Sequence, residues 1–353
     1  PREQQRVFNT IWNPIEENAR DLLKQKSLVS DYIRDYLTLK NKKIPNKSKV
    51  YQEFKKNYPD KQDEGYMNEL ESMKALSMHY KMFVNPEIVK DSQIQKELQY
   101  VNRLEINVAY PFLLQVFEDW DNGIIEKEVV IQVLKLIQNY TWRRFVVGLP
   151  TNALNKIFMT LYSEIDTEEY YDSLAIALCK KRGNSRFPNN DDIVNALKDK
   201  DLYNIKAKNR NYLFELLENY KNREHVDTSN ESITVEHIFP QNPSPVWSAQ
   251  LSEEEFFVFK EKHLNTLANL TLSGNNGALG NKSFSEKKNM NHKDGRQGYT
   301  FSRLWLNEYL KSIEKWDNSS YESRFTILSN RFLAIWKYPD VEIPLNGENT
   351  ELN

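Results

Sequence analysis

Apolar residues return every three or four positions along the chain up to about residue 225, the spacing that buries one side of a helix and leaves the other in water. In FNTIWNPIEENARDLLKQ the residues Ile11, Ile15, Ala19 and Leu22 share a side, and Pro14 suits a position near a helix start. LVSDYIRDYLTLK repeats the period with Leu28, Tyr32, Ile33, Tyr36 and Leu37, and SKVYQEFKKNY and MNELESMKALSMHYKMFV continue it. NRLEINVAYPFLLQVFEDW is more apolar and carries Pro111, which marks a kink or a restart. EKEVVIQVLKLIQNYTWRRFVVG reads as a buried helix ending near Gly148, with Thr151 or Asn152 capping the next, ALNKIFMTLYSEI. The series shows no repeat of fixed period.

Around residue 225 the pattern changes. HVDTSNES is polar and turn-rich, a boundary between structural units. SITVEHI then alternates with a period of two, Ile233 and Val235 against Thr234 and Glu236. SEEEFFVFKEKH opens a helix with Ser252 and Glu255 as a capping box. TLANLTLSGNNG predicts a short strand that breaks at Gly274, NKSFSEKKNMNHK a polar helix, and FSRLWLNEYLKSI and YESRFTILSNRFLAIW two closing helices. The expected fold is mainly α: a helical scaffold over 1–228, a small strand–strand–helix module over 229–300, and helices over 301–353 packing on that module.

Composition narrows the function classes. At 353 residues the chain supports two or three structural units, and no run of 18 apolar residues or apolar leader predicts a membrane span or a signal peptide. The single Cys179 excludes an internal disulfide and a cysteine-based zinc cage, which fits a reducing, cytoplasmic setting. A net charge of −2 carries no global nucleic-acid signature, so polyanion binding falls to local patches. Lys282–Arg296 is one, with five basic residues against two acidic. The chain opens on Pro1, as a fragment or processed product would.

The module carries a constellation of polar residues. An acid–histidine pair ends the first strand, one asparagine lies on the second, and another opens the helix, the layout of the His-Asn-His (HNH) nucleases. Phosphodiester hydrolysis needs a water deprotonated near neutral pH, which suits imidazole, and a cation against the charge on the phosphate. Hard Mg²⁺ or Mn²⁺ prefers carboxylate and amide oxygens. On this scheme His237 is the base, Glu236 a metal ligand, Asn269 the residue that orients the strand, and Asn276 the helix ligand with Asn281 as alternative. Lys287, with Lys282 and Lys288 beside it, is expected to meet a DNA phosphate. Neighbours on a strand face opposite ways, so Glu236 and His237 serve one site only if the strand ends or bends before Phe239-Pro240.

Each residue alone has a blander reading: a structural acid–histidine pair, turn-forming asparagines, a solvated lysine face. Their order across 55 residues carries the inference. His79 reads as structural, His225 and His263 as helix-end caps, and His292 as a weak phosphate candidate; Arg143 and Arg144 suit a helix-end ion pair better than a second basic point.

ITVEHIFPQ (233–241) and LANLTLSGNNGALGNKSFSEKK (267–288) resemble the C-terminal nuclease domain of the GmrSD-like restriction proteins. Glu236, His237, Ile238, Pro240 and Gln241 fill its first motif, Asn269 to Leu272 its second, and Asn276, Leu279, Asn281, Phe284 and Lys287 its third; Val235 and Ala268 replace Ile and Gly without removing a chemical group. Trp316, Arg324 and Trp336 follow in the order of that family's closing helix, and the upstream helices are similar to the region linking its catalytic ends. The resemblance implies a ββα-metal (His-Me finger) fold and metal-dependent cleavage of phage or modified DNA in bacterial antiviral defence. It also implies an N-terminal ParB-like nucleotide-hydrolysing domain as a partner, marked by a stretch this sequence lacks. The rival expectation is a helical DNA- or partner-sensing module whose nuclease site is silent without that domain.

Overall fold

The computed structural model describes residues 2–57, 63–228 and 232–343. The chain is mainly helical and divides into two compact units, one of Pro1–Phe145, Leu149–Phe187 and Pro339–Asn353, the other of Val146–Gly148 and Pro188–Tyr338. Among the described residues no helix is long and apolar enough to cross a membrane.

In the first unit the three-and-four spacing becomes an aromatic core. Tyr32 of helix Val29–Asn41 meets Tyr80 of Asp63–Val84 at 5.0 Å, and Phe83 of the same helix as Tyr80 packs edge-on against Phe117 of Tyr110–Asp121 at 4.8 Å. Pro111 sits in the first turn of that helix, so it marks a restart, where a missing N–H costs nothing. Pro14 likewise lies in the first turn of a helix, Asn13–Asn18, but that helix continues an earlier one. The helical run begins at Arg2, and a wider π-turn over Phe8–Trp12 precedes the proline. That turn accommodates a residue that cannot donate to the turn behind it. Two short strands, β1 (Arg20–Asp21) and β2 (Lys26–Ser27), pair antiparallel. Helix Lys127–Val147 ends at Gly148, whose φ of +81° is the left-handed closure that glycine adopts without strain. Arg143 and Arg144 are buried. Arg144 donates to the carbonyls of Asn184 (2.6 Å) and Pro150 (2.8 Å), so its guanidinium is held by backbone oxygens.

The second unit begins with helices Asn190–Asp199 and Ala207–Asn219 and leads into an antiparallel sheet, β3 (Thr234–His237) with β4 (Leu270–Ser273). The register pairs Glu236 with Thr271 and His237 with Leu270. Helices Pro245–Gln250 and Glu253–Val258 lie between the strands, the second opened by the Ser252–Glu255 box. After β4 come the short helices Asn276–Leu279 and Phe284–Asn289 and, last, Asn318–Ile335. The divisions expected at 228 and 300 both fall inside this unit; residues 229–231 are outside those described. Helix 207–219 is tied to the C-terminal elements: Glu218 accepts from the N–H groups of Trp305 (2.6 Å) and Leu306 (3.0 Å), and Arg331 donates to the carbonyl of Leu217 at 2.6 Å.

A charged side chain holds the small sheet. Arg324, 1% exposed on the last helix, donates to the carbonyls of Ala268, Leu270 (2.9 Å) and Leu306 (2.9 Å). Burial lowers its pKa to about 10, which still leaves it charged at neutral pH. Asn307 adds a bond to the Leu272 carbonyl (2.9 Å) and accepts from Thr271 Oγ1 at 2.6 Å. Removing the guanidinium strands three buried carbonyls, so Arg324→Met is expected to lower the unfolding free energy by about 3 kcal/mol, read by urea denaturation. A loss below about 1 kcal/mol would mean that other donors can take over.

Candidate functional site

The first strand ends where a shared site requires it to end. β3 terminates at His237 and the chain bends at Ile238 and Phe239, just before Pro240. Asn269 holds the bend. Its Oδ1 accepts from Phe239 N (2.8 Å) and Trp316 Nε1 (3.2 Å), and its Nδ2 donates to the carbonyls of Phe239 (3.0 Å) and Leu264 (2.9 Å). The side chain is fully buried and its amide is spent on these four bonds, so it lies behind the strand end and does not line the cleft.

In front of the bend an open cleft of about 350 Å³ is lined by Glu236, His237, Gln241, Asn242, Asn276 and Asn281, among others. Four expected site residues therefore share one cavity although they come from segments some forty positions apart. Asn276 opens the helix after β4, and its Nδ2 donates to the Val235 carbonyl (2.8 Å) and Thr234 Oγ1 (3.1 Å). The bonds to Nδ2 fix the amide, and its Oδ1 bonds no protein group among the described residues. Gly280, at φ +50°, turns the chain after that helix, and the exposed Asn281 follows.

The lysines lie elsewhere than expected. Helix Phe284–Asn289 buries Phe284, Lys287 and Lys288, positions i, i+3 and i+4 of one side. Lys287 is 0% exposed, and its Nζ donates to Glu236 Oε1 at 2.6 Å and to the His237 carbonyl at 2.7 Å. Lys288 bonds the Ile313 carbonyl and Glu314, both at 2.8 Å, and half-buried Lys282 bonds the Ala278 carbonyl at 2.9 Å. The expected contact of Lys287 with a DNA phosphate is corrected: the helical period turns its ammonium group into the protein, and that of Lys288 is engaged by the Ile313 carbonyl and Glu314.

Electrostatics follow from this burial. Burial pushes the Glu236 carboxyl up and the Lys287 ammonium down, and the charge of each partner opposes the other's shift. Burial lowers the His237 imidazole below its usual value; a bond to Asn265 opposes that shift and the Lys287 charge adds to it. The neutral form, the one that accepts a proton, is thereby favoured near pH 7. His237 Nε2 lies 3.0 Å from Asn265 Oδ1, and its ring lies 4.3 Å from that of Tyr203. Neither Asn265 nor Tyr203 was singled out in the sequence, and the one local signal was the turn-forming Asp201-x-x-Asn204.

Among the described residues no three His, Cys, Asp or Glu side chains gather closely enough to hold a metal by themselves. The cleft offers one carboxylate, already paired with Lys287, together with the amide oxygens of Asn276 and Asn281. That donor set fits a hard cation that keeps several waters and takes substrate phosphate oxygens as further ligands. The other histidines lie apart from this set. His79 is buried 3.4 Å from Asp121, His225 lies 3.3 Å from Glu215, and His263 stacks on Tyr321 at 3.9 Å where a helix cap was expected.

Residues 187–330 match the family model described as GmrSD restriction endonucleases, C-terminal domain, and this part of the chain is a GmrSD-like C-terminal domain. The match contains every cleft residue and relates this part to restriction endonucleases. The helices before residue 187 lie outside the matched residues. No curated protein matches the chain.

Lys287→Met would leave Glu236 as a buried carboxylate without its cation, a loss of about 3–5 kcal/mol in urea denaturation. Adding Glu236→Gln is expected to restore about half of it. Strictly additive losses across this double-mutant cycle would show that the two groups are not coupled.

Proposed function

We propose that this chain, whose residues 187–330 are a GmrSD-like C-terminal domain, is a metal-dependent DNA endonuclease of the HNH type built on a ββα-metal module. The observation that carries the reading is the convergence of Glu236, His237, Asn276 and Asn281 on one cleft. His237, held in its neutral form, takes a proton from a water, and the resulting hydroxide attacks phosphorus in line as the 3′ oxygen departs. Glu236 and Asn276, with Asn281 as the alternative to Asn276, would hold Mg²⁺ or Mn²⁺. When bound, that cation supplies positive charge against the phosphate and the leaving oxygen. Asn269 and Lys287 act from behind, one shaping the strand end and the other holding the Glu236 carboxylate. The setting that goes with this activity is restriction of phage or modified DNA inside a bacterial cell, with a nucleotide-hydrolysing ParB-like domain as a partner.

The salt bridge at Glu236 supports a second reading. A carboxylate already neutralised by Lys287 binds a cation less well, which suits a DNA- or partner-sensing module whose site is silent until a partner acts.

Plasmid DNA with Mg²⁺ or Mn²⁺ distinguishes the two. Cleavage by the wild-type chain, abolished by EDTA and lowered about 10²- to 10⁴-fold in His237→Ala, is the expected result. Equal cutting by both proteins would remove His237 from its role. Silence of both would favour the sensing module.

A further inference from the structure

The imidazole of His237 is contacted by a loop of the second unit that neither strand contains. Asp201 follows helix Asn190–Asp199, and its Oδ1 accepts from the N–H groups of Tyr203 (3.0 Å) and Asn204 (2.8 Å). The turn so formed places the Tyr203 ring 4.3 Å from the imidazole, and Arg210 packs 5.0 Å from the other partner, the Tyr203 ring. Asp201 Oδ2 accepts from Asn204 Nδ2 (2.7 Å) and from Asn265 Nδ2 (3.1 Å). A backbone bond, Leu202 N to the Asn265 carbonyl at 2.9 Å, ties the two loops together independently of these side chains.

These contacts determine which imidazole nitrogen carries the proton. An ionised carboxylate only accepts, so the amide of Asn265 turns its nitrogen to Asp201 and its oxygen to His237. The reverse orientation would set two oxygens face to face with no proton between them. Burial opposes ionisation of Asp201, but bonds from Asn204, Asn265 and Tyr203 outweigh it and hold the carboxyl below its usual range. An amide oxygen 3.0 Å from Nε2 requires a donor there. The neutral imidazole is then protonated on Nε2, and Nδ1, which bonds no protein group among the described residues, keeps the lone pair.

We infer that Asn265 and Asp201 are positioning residues that lock His237 in the Nε2–H tautomer, with Nδ1 as the nitrogen that serves the reaction. The inference rests on the nuclease reading for its purpose, while the tautomer itself is a property of the folded chain. The charged groups around the ring are Asp201, Arg210, Glu236 and Lys287, and of these only Asp201 reaches it through an amide.

Imidazole ¹⁵N shifts of the ¹⁵N-histidine-labelled full chain in EDTA test it, with His237→Gln to assign the resonance among five histidines. The wild-type chain is expected to hold about a tenfold excess of Nε2–H over Nδ1–H, falling to about threefold or less in Asn265→Leu and in Asp201→Asn, as loss of one hydrogen bond allows. Single-turnover cleavage should fall on the order of tenfold in Asn265→Leu, with DNA affinity within about twofold of wild type. A wild-type chain dominated by Nδ1–H, or an unchanged ratio in Asn265→Leu, would overturn the assignment. The wild-type spectrum decides even if a variant does not fold. Expected shifts in a chain that cuts no DNA would uphold the positioning pair and remove the nuclease reading.

Discussion

A buried ammonium organises the second unit's cleft. Lys287 cannot leave the interior without stranding Glu236, and it cannot stay there without both the carboxylate and the His237 carbonyl as acceptors. Helix 284–289 is thereby bound to the end of β3, and the Glu236 carboxylate is held at the wall of the cleft. Asn269 does the complementary work with a neutral side chain. It fills every hydrogen-bonding position of its amide to hold the bend that lets two neighbours of one strand reach the same cavity.

The division of labour is uneven along the chain. In the first unit the polar groups complete a core of aromatic rings: Asp119, 2% exposed, accepts from Tyr170 at 2.7 Å and Tyr162 at 3.2 Å. In the second unit the buried Arg324, Asn307 and Lys287 converge on backbone carbonyls around the sheet. A two-stranded sheet has no interior strand to lend it rigidity. Side chains of the flanking helices supply the rigidity, and a site whose geometry matters to within fractions of an ångström gains from it.

Much of this was legible beforehand because it is local. The period of two in SITVEHI, the capping box at Ser252 and the turn at Gly148 are each dictated by a few adjacent residues, and each lies where the pattern put it. The convergence of Glu236, His237, Asn276 and Asn281 was legible from motif order. What escaped was non-local. The run of lysines read as a surface patch, yet Phe284, Lys287 and Lys288 fall on one helical side, and the apolar residue among them was the available warning. The 201–204 loop and Asn265 carried no motif, and only folding brings Asp201 to within one amide of the imidazole.

The small sheet also shows how its borders are finished. The outward carbonyls of β3 belong to Val235 and His237, and they receive Asn276 and Lys287; those of β4, at Leu270 and Leu272, and of Ala268 just before it receive Arg324 and Asn307. Both borders are closed by side chains, so no strand of another molecule can add to either without displacing a buried group. One of the closing residues, Asn276, also lines the cleft, and another, Lys287, holds the Glu236 carboxylate at its wall. Evolutionary drift at the cleft would therefore expose a raw strand border, and selection against aggregation would preserve these two side chains even in a descendant that had abandoned its chemistry.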